Sequence, residues 1–186
     1  MKIPKRRSSP VCNIKEISMD ASAGKKREIL GWVFTFLAAI TVFAVFLMFF
    51  RPGMVSGTSM EPNYFGGDRF FITRDWCCGD YRYGDVVCVE ASGRVLIKRI
   101  IGLPGDTIEI KDGKVYRNSE QINESAYLDG SVETHASGGH LKVAVGEGEY
   151  FVLGDNRAVS LDSRGYGTFK KIIGKTWFIY RKAWFN

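Results

Sequence analysis

Histidine is nearly missing from this 186-residue chain, which holds only His135 and His140, both in a polar, Gly- and Ser-rich stretch. Apart from Glu133 no acidic residue stands at a telling position beside them, so a Ser/His/Asp arrangement has little support. Cysteine is sparse as well. Cys12, Cys77, Cys78 and Cys88 match neither the paired spacing of a zinc site nor a disulfide framework, which argues against a structural metal or a metal cofactor. Cys88 stands in an apolar run and reads as a small core residue. The adjacent Cys77 and Cys78 have no reading from sequence. An excess of one charge is lacking over most of the chain. The net charge is +6, but residues 1–28 carry five of those six positive charges, and the remainder has no surplus with which to neutralise phosphates. Nucleic-acid binding is therefore not expected. Hydrophobic residues at 45% and charged ones at 25% exclude a wholly disordered chain and a polytopic membrane protein.

There is one long apolar run. Ile29 to Phe50 contains no charged residue, and a helix of that length spans roughly 33 Å, enough to cross the hydrocarbon of a bilayer. A buried core helix would show a polar stripe, whereas only Thr35 and Thr41 interrupt this surface. The run exceeds a cleavable signal peptide's apolar region of about 7–15 residues and ends in Phe-Phe-Arg-Pro rather than a small-x-small site. Lys25, Lys26 and Arg27 form the dense positive flank, which places the amino terminus in the cytoplasm and the chain from about residue 51 outside. The expected organisation is a basic cytoplasmic tail over 1–28, an anchor over 29–50 and one extracytoplasmic domain over 51–186. The tail is too short for a helix-turn-helix.

Beyond the anchor the pattern changes to short apolar runs punctuated by glycine, which predicts a mainly β domain. Expected strands are 68–73, 85–90, 94–101, 107–110, 114–116, 141–145, 150–153 and 176–181. Asp112-Gly113 marks a two-residue hairpin turn. Residues 123–139 read as loop. The aromatic, basic end with Trp177, Trp184 and Phe185 suits either a last strand or the lipid interface.

Three stretches carry candidate chemistry. Val55 to Pro62 places Ser56, Gly57, Thr58 and Ser59 shortly after the anchor, either as a nucleophile turn or as an ordinary loop. A serine needs a base, and with histidine unsuited the alternative is a lysine made neutral by desolvation. Lys98, within Val95-Leu96-Ile97-Lys98-Arg99-Ile100-Ile101, has apolar strand neighbours Leu96 and Ile100 on its face. It reads as a dry amine or as a snorkelling strand lysine. Arg99 cannot act as a base. Gly154 to Gly167 is dense in polar groups that require mutual hydrogen bonds, with Asp155 and Asp162 able to pair with Arg157 or Arg164 and Ser160 able to orient an amine.

Four segments, taken in order behind one anchor, resemble the boxes of the bacterial type I signal peptidases: Ser56 to Pro62, Gly84 to Val87, Lys98 to Asp106 and Gly154 to Gly167. The resemblance implies a signal-peptidase-type fold of antiparallel sheets behind one transmembrane helix, in a single-pass protein of the bacterial cell membrane. It implies Ser59 as nucleophile and Lys98 as general base. Ser160 would hydrogen-bond the amine, with Asp155, Asp162 and Arg164 in support. Gly57, where some members carry a serine, is similar to the Gram-positive branch and implies an oxyanion hole of backbone N–H groups, that of Ser59 included. Lysine rather than histidine at position 98 is similar to the prokaryotic type. The substrates implied are signal peptides of exported preproteins, cut after small residues in an Ala-X-Ala-like pattern, with Met60 and Ile97 shaping the pocket. No cofactor is implied, and the partners are the bilayer and the secretion translocon. The competing reading is an inactive or specialised membrane-tethered processing or binding protein of the same Ser/Lys fold.

Overall fold

The computed structural model describes residues 14–74 and 79–180. Cys12, Cys77, Cys78, Trp184 and Phe185 lie outside the described residues. The chain divides into two compact units, the first ending at Phe46 and the second beginning at Leu47. Helix α1, Ile14–Phe49, dominates the first, and its Lys25–Phe49 part is long and apolar enough to cross a membrane. The hydroxyls of Thr35 and Thr41 donate to the carbonyls of Gly31 and Leu37 one turn back, at 3.0 and 2.8 Å, so neither hydroxyl is left unpaired on the apolar surface.

The second unit is built from antiparallel strands. β1 (Phe50–Met54), β2 (Arg69–Arg74), β3 (Val86–Ala91), β4 (Arg94–Gly102), β9 (Phe151–Leu153) and β10 (Ile172–Tyr180) form a six-stranded sheet in the order β1-β2-β10-β3-β4-β9. β5 (Thr107–Lys111), β6 (Lys114–Arg117), β7 (Glu120–Gln121) and β8 (Leu141–Ala144) form a four-stranded sheet in the order β7-β6-β5-β8. A single-turn helix, α2 (Ser163–Tyr166), follows β9.

Turn chemistry sets the hairpins. Asp112 and Gly113 both take positive φ, +50° and +73°, and join Lys111 to Lys114 as a primed turn requires. Ser92 and Gly93 do the same between β3 and β4, at +48° and +74°. The strand alternation buries both faces of the six-stranded sheet. From β3, Val86 and Cys88 join one core cluster with Met60, Phe70, Ile72 and Ile97, whereas Val87, Val89 and Ala91 join another with Ile100, Val152 and Ile172. Ile101, Ile108, Ile110 and Phe151 form a third beside the four-stranded sheet.

Two strand segments run against their local signal. β1 reads Phe-Arg-Pro-Gly-Met, with breakers at its centre, yet it pairs from Phe50 opposite Thr73 to Met54 opposite Arg69. An edge strand tolerates Pro52 because its outer N–H is not needed, and a Cβ on Gly53 would sit 2.7 Å from the Phe70 ring. β10 begins at Ile172 rather than Thr176, passing through Gly174. A Cβ there would lie 1.9 Å from the Thr73 carbonyl oxygen. Gly174→Ala therefore separates β10 from β2, and we expect it to lower unfolding stability by roughly 1–3 kcal/mol, read as a lower denaturant midpoint of the detergent-solubilised chain.

Candidate active site

The turn between β1 and β2 is tied at its neck, where the Val55 N–H donates to the Asp68 carbonyl at 2.8 Å and the Gly67 N–H to that of Val55 at 2.9 Å. Within it Gly57 takes a φ of +91°, open to glycine at little cost. Met60 is fully buried in the core beside Val55, Tyr64 and Ile97, and its carbonyl accepts from the N–H groups of Asn63 and Tyr64. Half-buried Ser59 is thereby held between an exposed Thr58 and a buried Met60. From the other side Asn156 clamps the turn: its N–H donates to the Ser59 carbonyl at 3.0 Å and its side chain to that of Thr58 at 3.2 Å. The N–H of Ser59 makes no hydrogen bond among the described residues.

β4 brings Lys98 to this turn. Its side chain is only 2% exposed, and Nζ lies 2.7 Å from Ser59 Oγ and 2.9 Å from the Ile97 carbonyl oxygen. None of the ion pairs among the described residues involves it. Burial drives its pKa down from 10.5 to about 8; the carboxylates of Asp162 and Asp155 pull it back up, while the Arg164 guanidinium adds to the lowering. Such an amine is neutral in a substantial fraction near pH 8, and its lone pair can take a proton from the serine hydroxyl. Leu96 and Ile100 pack in one cluster and Ile97 in another, as strand alternation predicts.

The two carboxylates near the amine are neutralised by guanidiniums. Asp162 caps α2 and receives Arg164 through Nε and Nη2 at 2.9 and 3.0 Å, while its Oδ2 also accepts the Gly154 N–H at 3.1 Å. Asp155 pairs with Arg99 rather than Arg157, at 2.8 and 2.6 Å, and takes a third bond from the Asn63 side chain at 2.9 Å. Arg157 turns instead to Glu124, Thr134 and the Gly154 carbonyl. Arg99, the β4 neighbour of the lysine, also stacks over the Tyr127 ring, 4.1 Å from its centre. A Cβ on Gly154 would meet Ser160 Oγ at 2.1 Å and the Ser59 carbonyl oxygen at 2.5 Å, so only glycine lets the two loops touch.

Two expected roles differ in the structure. Ser160 arrives beside Gly154 and Ser59, but its buried Oγ has no hydrogen-bond partner among the described residues and does not bond the amine, whose reach is taken up by Ser59 and Ile97. Met60 belongs to the core and not to a pocket wall, because its turn directs it inward. Ile97 does line the groove that ends at the serine. That groove, of about 340 Å³, runs between β1 at Pro52–Met54 and β4 at Val95–Lys98, with Ser56 and Ser59 at one end and Phe70, Ile72 and Cys88 in its walls. Burial pushes the Cys88 thiol up to about 12, which leaves it an unreactive wall. Sequence reasoning missed Asn63, Asn156, Glu124, Tyr127 and Ser163, whose hydroxyl accepts from the Val152 N–H at 2.9 Å. Only Asn156 and Ser163, which stand beside Asp155 and Asp162 in the polar run 154–167, carried a visible signal. Both histidine rings are exposed and face carboxylates, His135 that of exposed Glu133 and His140 that of half-buried Glu109. No group of three His, Cys, Asp or Glu suited to a metal occurs among the described residues.

The signal peptidase, peptidase S26, family model matches residues 28–184. A signal peptidase I of Bacillus licheniformis is 35% identical over 173 residues, covering 87% of this chain and 93% of that one. Signal peptidase I P of Bacillus subtilis subsp. natto is 37% identical over 167 residues, 83% of this chain and 90% of its own. A crystal structure of a signal peptidase I from Enterococcus faecalis V583 aligns with a TM-score of 0.44 at 27% identity, over 53% of this chain and 97% of that one. With the family model spanning most of the chain and relatives this similar over most of their length, the chain belongs to the bacterial type I signal peptidases of the peptidase S26 family and is a serine protease.

Proposed function

We propose that this chain removes signal peptides from exported preproteins with a Ser59/Lys98 dyad, on the outer side of a bacterial membrane crossed once by α1 with the amino terminus inside. The observation that carries the reading is the 2.7 Å approach of Nζ to Oγ at a lysine 2% exposed. Neutral Lys98 takes the Ser59 proton, Oγ attacks the scissile carbonyl, and the ammonium so formed returns the proton to the departing nitrogen. Water, deprotonated by the same amine, then hydrolyses the acyl-enzyme. The unspent N–H of Ser59 is the donor best placed for the developing oxyanion, with Gly57 at positive φ two residues before it.

Strand edges support an extended substrate. Among the described residues β9 pairs with β4 only from Arg99 to Gly102, which leaves the part of β4 from Arg94 to Lys98 without a strand partner on that side, and β1 is the edge strand opposite across the groove. A signal peptide lying between them adds backbone hydrogen bonds to these edges. The narrow groove walled by Ile97, Phe70 and Ile72 suits small side chains before the cut, in an Ala-X-Ala-like pattern. The positive flank Lys25–Arg27 supports the orientation in the membrane, which brings the enzyme to chains emerging from the secretion translocon.

With a preprotein in detergent, Ser59→Ala and Lys98→Ala should each cut kcat/KM by at least about a thousandfold, as loss of a nucleophile or its base does. His135→Ala should stay within about twofold of the parent. Full cleavage by the Lys98 variant would remove the dyad. The depressed pKa requires kcat/KM to climb with pH and level off above about 8, and a profile flat from pH 6 to 9 would contradict a titrating lysine. Stability moves with the same group. Because the folded pKa lies below the unfolded one, protonation opposes folding fully below about pH 8, and the opposition fades as pH rises towards 10.5. Lys98→Met should therefore stabilise the inactive protein at pH 7 by up to about 3 kcal/mol in denaturant unfolding, with a smaller gain at pH 10.

A further inference from the structure

The groove that ends at Ser59 receives only one half of a cleavage substrate, because Ser59 is the last residue of its turn to line it. The chain on the leaving side of the scissile bond needs another path. Immediately past the nucleophile, Glu61 and Pro62 open a second depression, of about 500 Å³, closed by Leu128 and Val132 from the loop between β7 and β8 and by Asn156 and Ala158 from the loop after β9. Glu61 is two residues from Ser59, at most about 7 Å along the chain. In an extended peptide the second and third residues after a cut lie about 7–10 Å from the scissile carbonyl, within that reach.

The depression is joined to the nucleophile by Asn156, whose two hydrogen bonds hold the carbonyls of Ser59 and Thr58. Its floor is apolar, made by Pro62, Leu128, Val132 and Ala158. The buried polar groups in its wall are committed elsewhere, Asp155 to Arg99 and Arg157 to Glu124. The rim carries three carboxylates. Asp129 is held by the Ser131 hydroxyl and Glu133 by the exposed His135 ring, while Glu61 makes no side-chain bond among the described residues.

We propose that this depression is the subsite for the second and third residues after the cut, seating an apolar side chain there and opposing acidic ones through the carboxylates of Glu61, Asp129 and Glu133. The occupant is the mature-side segment of the same preprotein whose signal side fills the first groove, so the inference rests on Ser59 being the nucleophile. Loop 122–135, fastened to the site through Arg157 and Glu124, supplies specificity without touching the reacting atoms.

The test uses the full chain in detergent at low salt and a set of signal-sequence peptides that differ only in Lys, Leu or Glu at the third position after the cut. The parent should cut the Lys and Leu peptides at least about fivefold faster in kcat/KM than the Glu peptide. In Glu61→Gln/Glu133→Gln that ratio should fall below about twofold, and Val132→Asp should widen it, while discrimination between Ala and Leu at the residue before the cut stays unchanged in every variant. A parent ratio near one, or a ratio that the variants leave alone, overturns the subsite while leaving the dyad standing. Failure of the parent to cut any peptide or preprotein overturns the protease reading, and the subsite falls with it.

Discussion

The proposed chemistry depends on an ammonium being denied water. Lys98 loses its hydration inside a β domain and receives no carboxylate partner in exchange, so its neutral form becomes available near pH 8. A direct contact with Asp155 or Asp162 would reverse this, since a paired ammonium holds its proton. Each carboxylate is instead occupied by its own arginine, Arg99 and Arg164. Their fields reach the amine only at a distance and raise its pKa by less than burial lowers it. A cluster of five charged side chains thus contains one whose charge is readily lost.

That arrangement also sets geometry. The Arg99–Asp155 and Arg164–Asp162 pairs are bidentate; the first fastens the loop after β9 to β4, while the second holds the cap of α2, whose Asp162 also ties back to the Gly154 N–H. Asn156, on the same loop, then grips the Ser59 carbonyl. Positions 59, 98 and 155–164 are distant in sequence but form one hydrogen-bonded body, in which Gly154 is the point of closest approach. The energetic cost of a buried, unpaired amine falls on stability, a common trade at sites built for reactivity.

Much of this was legible in the chain. The apolar span, the glycine-punctuated strands, the primed Asp112-Gly113 turn and the apolar neighbours of Lys98 all follow from local periodicity and turn chemistry, which act over a few residues. β1 and the start of β10 were hidden, because Pro52, Gly53 and Gly174 look like breakers until the neighbouring strand shows why a small or donor-free residue is needed there. Met60 looked like a pocket residue because it adjoins Ser59, yet adjacent residues in a tight turn face opposite ways, and it faces the core. The partner of Asp155 was equally invisible, since Arg157 is nearer in sequence and Arg99 nearer in space.

The sequence by itself determined the inventory and the order: one membrane-length helix, a β domain, a serine-bearing turn, a lysine in an apolar strand and a loop rich in aspartate and arginine. Periodicity and composition are properties of neighbours along the chain, so they are readable there. Only the tertiary structure decided which groups meet, which guanidinium takes which carboxylate, that the lysine is dry, and that the Ser160 hydroxyl stands beside the site without bonding its amine. Desolvation and hydrogen-bond distance are created when strands far apart in sequence close on one another, and nothing short of that closure specifies them.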